Sequence, residues 1–317
     1  MMNLRSRSRF CVSWLLLVTV FFTTSCTDLA PVQQFADIAA DAARRFPALA
    51  RDLNGSCRRQ IYYQHIRQNR FSPEKMQVIL DSGAGRSEAD EMFAPCKNFM
   101  EQEGRLIQAN AVLLNYLQTM AALASNDSTA LDRSLRNVAG SFTETGLFTA
   151  GEVNAVKGLA GFILKLAQSG ARKAKIKETV EANNEHIKTL TAALSRIVMQ
   201  QYQLQLTNER DELKNFYVSG MKEYVSFQKS LPRNSTETVN DPLPIMTIKR
   251  QWDVEDGELQ KRIKAANSYS EMMKEIQAAH QELFEGRNKL ASREVLHQAL
   301  GYALTIHNLA EDFQKAF

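Results

Sequence analysis

Proline and glycine are scarce here, with 7 and 14 in 317 residues, against usual shares of about 5% and 7%. Tight turns in number need both residues, so a fold of many short strands has little to be built from. Runs that alternate apolar with polar residues are also nearly missing. Apolar positions recur instead at steps of 3 and 4, the helical period, and the fold class expected is all-α.

Catalytic signatures are missing as well. The sequence has no His-Glu-x-x-His, no Cys-x-x-Cys, no Gly-x-Ser-x-Gly and no Walker A lysine loop. "SGAGRSE", 82–88, lacks the Gly-Lys-Ser/Thr ending of a phosphate loop and follows no strand, so it reads as a plain loop. The histidines are His65, His186, His280, His297 and His307. His280 and Glu282 lie two apart on a helix and face different ways. His297 and His307 lie ten apart, roughly 80° out of alignment. They read as surface or core histidines, with no metal and no cofactor implied. Asp253, Glu255, Asp256 and Glu258 read as charge in the first turns of a helix, where it offsets the dipole. The expectation is a protein that is not an enzyme.

Charge of one sign is in short supply too. The formal net charge is +4, but Arg5, Arg7 and Arg9 stand before the first acidic residue, Asp28. Without residues 1–25 the balance falls to +1. Nucleic-acid binding needs a basic face and finds no support.

The N-terminus, by contrast, is informative. After the three arginines, Phe10 to Phe22 is an almost wholly apolar run of 13 residues. As a helix it spans about 20 Å, too short for a hydrocarbon core of ~30 Å. A basic start, a short apolar stretch and small residues after it read as a secretory signal peptide. The following Thr23-Thr24-Ser25-Cys26 resembles the lipobox of bacterial lipoproteins, with Thr23 where leucine is usual. The resemblance covers the first 26 residues. It implies cleavage before Cys26, acylation of its sulfur and, with Thr27 rather than Asp after the cysteine, sorting to the outer membrane facing the periplasm. Ordinary secretory cleavage to a soluble periplasmic protein is the alternative. Several acyl chains hold where one would not, because each buried CH₂ contributes about 0.8 kcal/mol.

Of the other cysteines, Cys11 leaves with the signal peptide. Cys57 and Cys96 remain, an even pair in an oxidising compartment, and a disulfide is expected. Two buried free thiols are the alternative.

Four regions are expected: a signal peptide (1–25), a helical bundle (26–230), a crossover loop (231–251) and a C-terminal helical pair packing on the bundle (252–317). Within the bundle, a first helix over about 31–53 would kink at Pro47 and end at Asn54-Gly55. A helix carrying Cys57, Ile61, Tyr62 and Ile66 follows. Ser72-Pro73 starts a short helix that stops near Leu80, and Pro95 restarts a helix through Phe99, Leu106, Leu113 and Met120. "SNDS", 125–128, caps a further helix ending near Phe142. Thr149-Ala-Gly-Glu152 matches a capping box. From there to residue 231 no proline intervenes, and one very long central helix is expected over about 150–230. Its apolar stripe runs through Ile176, Val180, Ile187, Leu190, Leu194, Ile197, Leu204, Leu213, Tyr217, Tyr224 and Phe227. Two final helices, about 253–286 and 292–316, meet near Gly286 and Ser292.

One stretch suggests a membrane contact. Residues 153–177 carry six basic residues and no acidic one. Val156, Leu159, Phe162, Ile163, Leu164 and Lys165 could lie on an anionic lipid surface. Because the apolar and basic parts follow one another rather than sharing a helix, burial of the apolar part is favoured. The functional expectation is a membrane-anchored envelope lipoprotein acting as a helical scaffold or binding module, with a protein partner in the envelope. The alternative is a membrane-active protein that uses residues 142–170.

Overall fold

A computed structural model describes residues 29–68, 91–125, 147–168, 175–231, 242–290 and 292–317. Those residues form a bundle of helices, with no strand among them. The readings at Ser72-Pro73, at residues 82–88, at "SNDS" beyond Ser125 and at Cys26 lie outside the described residues.

Helix α1, Ala30–Arg44, has Pro31 in its first turn, where a missing N–H leaves no bond unmade. Its buried face is small: Ala36, Ala39, Ala40, Ala42 and Ala43 accompany Val32 and Phe35. With so little side-chain bulk, the helices Lys97–Ser125 and Arg293–Gln314 pack closely against it. Asn110 of the first of these donates to the Ala43 carbonyl at 2.8 Å. The helix breaks at Arg45, just ahead of Pro47, because proline has no N–H for the turn behind it. α2, Phe46–Gln68, then runs straight through Asn54-Gly55, so that dipeptide does not end a helix. A Cβ on Gly55 would stand 3.1 Å from Arg59 Nη1 and 3.4 Å from Asp52 Oδ1. The glycine makes room for an ion pair.

Cys57 and Cys96 are bonded as a disulfide, Cα–Cα 5.8 Å, which ties α2 to the 3₁₀ turn Ala94–Cys96 leading into α3, Lys97–Ser125. α4, Ala150–Gln168, opens with the expected capping box. Thr149 N–H donates to Glu152 Oε2 at 2.7 Å, and Glu152 N–H donates to Thr149 Oγ1 at 3.4 Å.

The single helix expected over 150–230 is not found. α4 folds back along α5, Ile176–Ile197, as an antiparallel pair. Arg196 near the end of α5 clasps Glu152 at the start of α4 at 2.9 Å. Gly158 lies directly against the His186 ring, where a Cβ would collide with it. From Ile176 the helix does continue to Ser230, 55 residues, through a π segment, Val198–Tyr202, into α6, Gln203–Ser230. The wide turn inserts one residue into the helical phase. A heptad continued from Ile197 would bury positions 201, 204 and 208. Tyr202, Gln205, Leu206 and Glu209 are buried instead. Leu204, expected on the stripe, is 57% exposed for that reason.

α7 runs Leu243–Glu285, so the segment 231–251 is not all loop. Pro242 and Pro244 stand at its N-cap and first turn, where proline begins helices well. α8, Arg293–Gln314, is capped by Ser292, whose Oγ accepts from Val295 N–H. α7 packs on α5, α6 and α8 alike and belongs to the bundle. Where these helices meet, Phe46 stacks on Tyr269 with centroids 4.5 Å apart. His280 is fully enclosed: Tyr116 O–H lies 2.6 Å from Nε2, and Nδ1 lies 3.0 Å from the Asn184 carboxamide oxygen. An oxygen that only accepts requires the proton on Nδ1, leaving Nε2 to accept from tyrosine. Burial pulls the His280 pKa down to about 3, which keeps the ring neutral.

Directions along the bundle follow from cross-helix contacts. α1–α2 runs antiparallel to α3, as Ala43–Asn110 and Cys57–Cys96 show. α2 runs parallel to the π segment and α6, as Asp52–Tyr202 and Arg59–Glu209 show. α7 runs antiparallel to both, through Ser195–Ser270 and Arg210–Asp256. The last turns of α6 and the first turns of α7 therefore extend away from residue 29.

Candidate interaction surface

Between α2, α6 and α7 the bundle is polar inside. Arg59 lies between Asp52 (2.9 Å) and Glu209 (2.5 Å), and Arg262 stands 3.7 Å and 3.9 Å from the same two carboxylates. Tyr202 O–H donates to Asp52 at 2.7 Å. Two cations face two anions, and the knot is neutral. Burial opposes the Arg59 charge, but hydrogen bonds to Glu209 and Asp52 outweigh it and raise its pKa. One turn further on, Glu255 accepts from Tyr63 at 2.8 Å and from Tyr217 at 3.0 Å, and Arg210 holds Asp256 at 2.6 Å. Burial, then Glu255, raises the pKa of both tyrosines.

The acidic cluster read as first-turn charge is thus something else. Asp253, Glu255, Asp256 and Glu258 sit beyond the second turn of α7, past reach of the helix end. Each has a partner: Lys249, the two tyrosines, Arg210 and Lys261. Every carboxylate of the cluster is engaged within the bundle or by a neighbouring lysine.

Aromatic rings close the core beyond this seam. Tyr63 meets Phe216 at 5.6 Å, Phe216 meets Tyr217 at 5.1 Å, and Tyr217 meets Trp252 at 6.0 Å. Past them α6 and α7 continue as a pair. No residue of 218–231 or 242–258 is fully buried. Ile248 and Trp252 pack on the core with partial cover and Ile245 is half-buried, while Leu243 (64%), Met246 (57%), Val254 (61%) and Phe227 (56%) are exposed. Phe227 was expected on the buried stripe; it lies beyond the last core contact of α6. Lys222, Lys229, Arg250 and Glu223 have no ion-pair partner among the described residues, and Glu255 is held by two tyrosines instead. Exposed apolar side chains thus recur toward the end of α6 and the start of α7.

The residues of the possible membrane contact are divided, their apolar part mostly buried as the sequence favours. Val156, Leu159 and Ile163 are buried in the core against α5, and Phe162 packs on it partly covered. Leu164 and Lys165 alone face out. The α4–α5 hairpin, which Gly158 permits, is the reason. A cleft of about 410 Å³ lies between α5 and α7. Its hydroxyls Ser195 and Ser270 bond each other at 2.7 Å, and its charges pair off as Arg196–Glu152 and Lys274–Glu271.

Among the described residues, no group of three or more His, Cys, Asp or Glu side chains could hold a metal, and no helix is long and apolar enough to cross a membrane. Of the distal pair, the sequence hinted only at "LPIM", 243–246, where apolar residues interrupt a turn-forming segment. Compared with known proteins, the chain matches no family model, no curated protein and no solved structure.

Proposed function

We propose that this protein is a lipid-anchored, non-enzymatic scaffold of the bacterial envelope, acylated at Cys26 and facing the periplasm from the outer membrane. The bundle is elongated, and the distal α6–α7 pair is its binding end. The observation that carries this reading is the exposed apolar end of that pair, pointing away from the N-terminal side. Leu29, buried at the start of the bundle, lies three positions past Cys26, so the tether is short. The helical run of 55 residues extends about 80 Å by rise alone, enough to hold a binding end well clear of the anchor. Engaged carboxylates, a neutral buried His280 and a cleft with paired charges suit a scaffold better than a catalyst.

Two measurements on intact cells test the anchor. Labelled fatty acid enters the wild type and not Cys26→Ser, and the wild type alone stays with membranes through a high-salt wash. Equal labelling of both, or equal retention after the wash, rejects the anchor.

A further inference from the structure

The cleft between α5 and α7 exists because the two helices carry little bulk where they flank it. Ala192 and Ser195 of α5 stand opposite Ser270 of α7, and the two serine hydroxyls meet at 2.7 Å in its floor. Thr191 Oγ1 closes the floor by donating to Gln277 Oε1 at 3.4 Å. Thr191 and Ser270 are buried, while Ala192, Gln200, Asn267 and Lys274 are exposed, so a buried floor lies under an open rim. Every lining residue belongs to the described part of the chain. The volume of about 410 Å³ falls within the ~300–1,000 Å³ of small-ligand sites. Met199 and Gln200 belong to the π segment, so the wide turn itself makes one end of the cleft. Single π turns occur frequently at functional sites.

The lining selects by chemistry. Arg196 is held by Glu152 and by the Leu147 carbonyl, and Lys274 by Glu271, so little charge is left over to draw an ion. An apolar ligand would find only Ala192 and Met199. Hydroxyls and carboxamides make up the rest. Gln200 and Asn267 have no side-chain hydrogen bond among the described residues, and each carboxamide both donates and accepts. Arg196 spends Nε and Nη2 on its partners, which fix the guanidinium plane and leave Nη1 unbonded among the described residues. Neutral ligands dense in hydroxyls around an apolar ring face match such a lining. Saccharides are that class.

We infer that the α5–α7 cleft binds a neutral mono- or disaccharide unit, with Gln200 and Asn267 bonding its hydroxyl or acetamido groups, Arg196 donating from a fixed plane, and Met199 against the ring face. The site is separate from the distal α6–α7 pair. It does not depend on acylation of Cys26.

The purified protein is titrated with N,N′-diacetylchitobiose and with maltose, and binding is followed by saturation-transfer NMR, with melting measured alongside. The expected result is saturable binding of at least one of the two, while glucose 6-phosphate binds no more tightly than glucose. Ala192→Trp fills the cleft from its exposed rim and should weaken binding at least tenfold. The double variant Gln200→Ala, Asn267→Ala changes only exposed side chains and should do the same at the wild-type melting temperature. Where Ala192→Trp melts early, the double variant decides. No saturation by either disaccharide overturns the inference. Tighter binding of glucose 6-phosphate than of glucose reveals a site for anions and also overturns it, as does binding that the double variant retains.

Discussion

Tyr202 donates its hydroxyl proton to Asp52 at 2.7 Å, across 150 positions of sequence. It can do so because the π segment sets Tyr202 inward, and because Asp52 is already turned toward Arg59 beside a glycine. Helix irregularity and buried charge are therefore one arrangement. It fastens α2 to the long helical run at the level where the bundle begins to thin.

Removing one partner of that knot should be costly. Glu209, with a side chain 2% exposed, is the anion shared by Arg59 and Arg262. Glu209→Ala leaves two guanidinium groups to one carboxylate, and a loss of about 3 kcal/mol in urea unfolding is expected. Glu271→Ala, which breaks an exposed pair with Lys274, should change stability by no more than about 0.5 kcal/mol. Equal effects would show that the knot adds nothing to an ordinary surface pair.

The π segment should be dispensable by one residue. Deleting Gln200 turns the wide turn into regular helix and keeps Ile197 and Leu206 on their present partners. Melting should move by no more than about 4 °C, about 1 kcal/mol at this size. Deleting Glu185, in the regular part, rotates one buried stripe by ~100° against the other and should lower melting by more than 10 °C on that scale. If both deletions are equally harmful, the phase shift at Leu204 has another origin.

His280 gives stability a pH slope. Its pKa is about 3 in the fold and about 6.5 in an unfolded chain. Between those values the unfolded chain takes up a proton that the folded one refuses, so stability falls as pH drops below about 6.5, by up to ~1.4 kcal/mol per unit. The ring hydrogen-bonds to the neutral groups of Tyr116 and Asn184. Urea titrations at pH 6.5 and 5.0 should show the slope in the wild type and a reduced one in His280→Gln. The same slope in both would place the titration elsewhere.

The disulfide spans 39 positions and stabilises the fold by up to about 4 kcal/mol in the loop-closure account. Non-reducing mass spectrometry should find the Cys57 and Cys96 peptides joined, and the double serine variant should lose stability on that scale. Free alkylation of both thiols would contradict the bridge.

What the sequence disclosed about these features was local. Thr149 and Glu152, three apart, and Ser292 ahead of α8 announce helix starts through their own backbone bonds. Cys57 and Cys96 pair by count and compartment. The π segment carries no proline or glycine to mark it, so the stripe was followed one residue out of phase, onto Leu204. Asn54-Gly55 has the composition of a helix end, and its reason, the Arg59 side chain one turn on, is visible only once Glu209 arrives from 150 positions away. Pro242 and Pro244 have the composition of a loop but begin a helix. The distal pair was illegible for the same reason in reverse: Phe227 keeps the helical period past the point where neighbours remain to bury it.

Everything in the functional account depends on residue 26. The most direct measurement is the mass of the N-terminal peptide of the protein purified from its own membranes after proteolysis. The account predicts a peptide that begins at Cys26 and carries acyl chains on it. A peptide that begins at Met1, or at an unmodified residue after the apolar run, would contradict it.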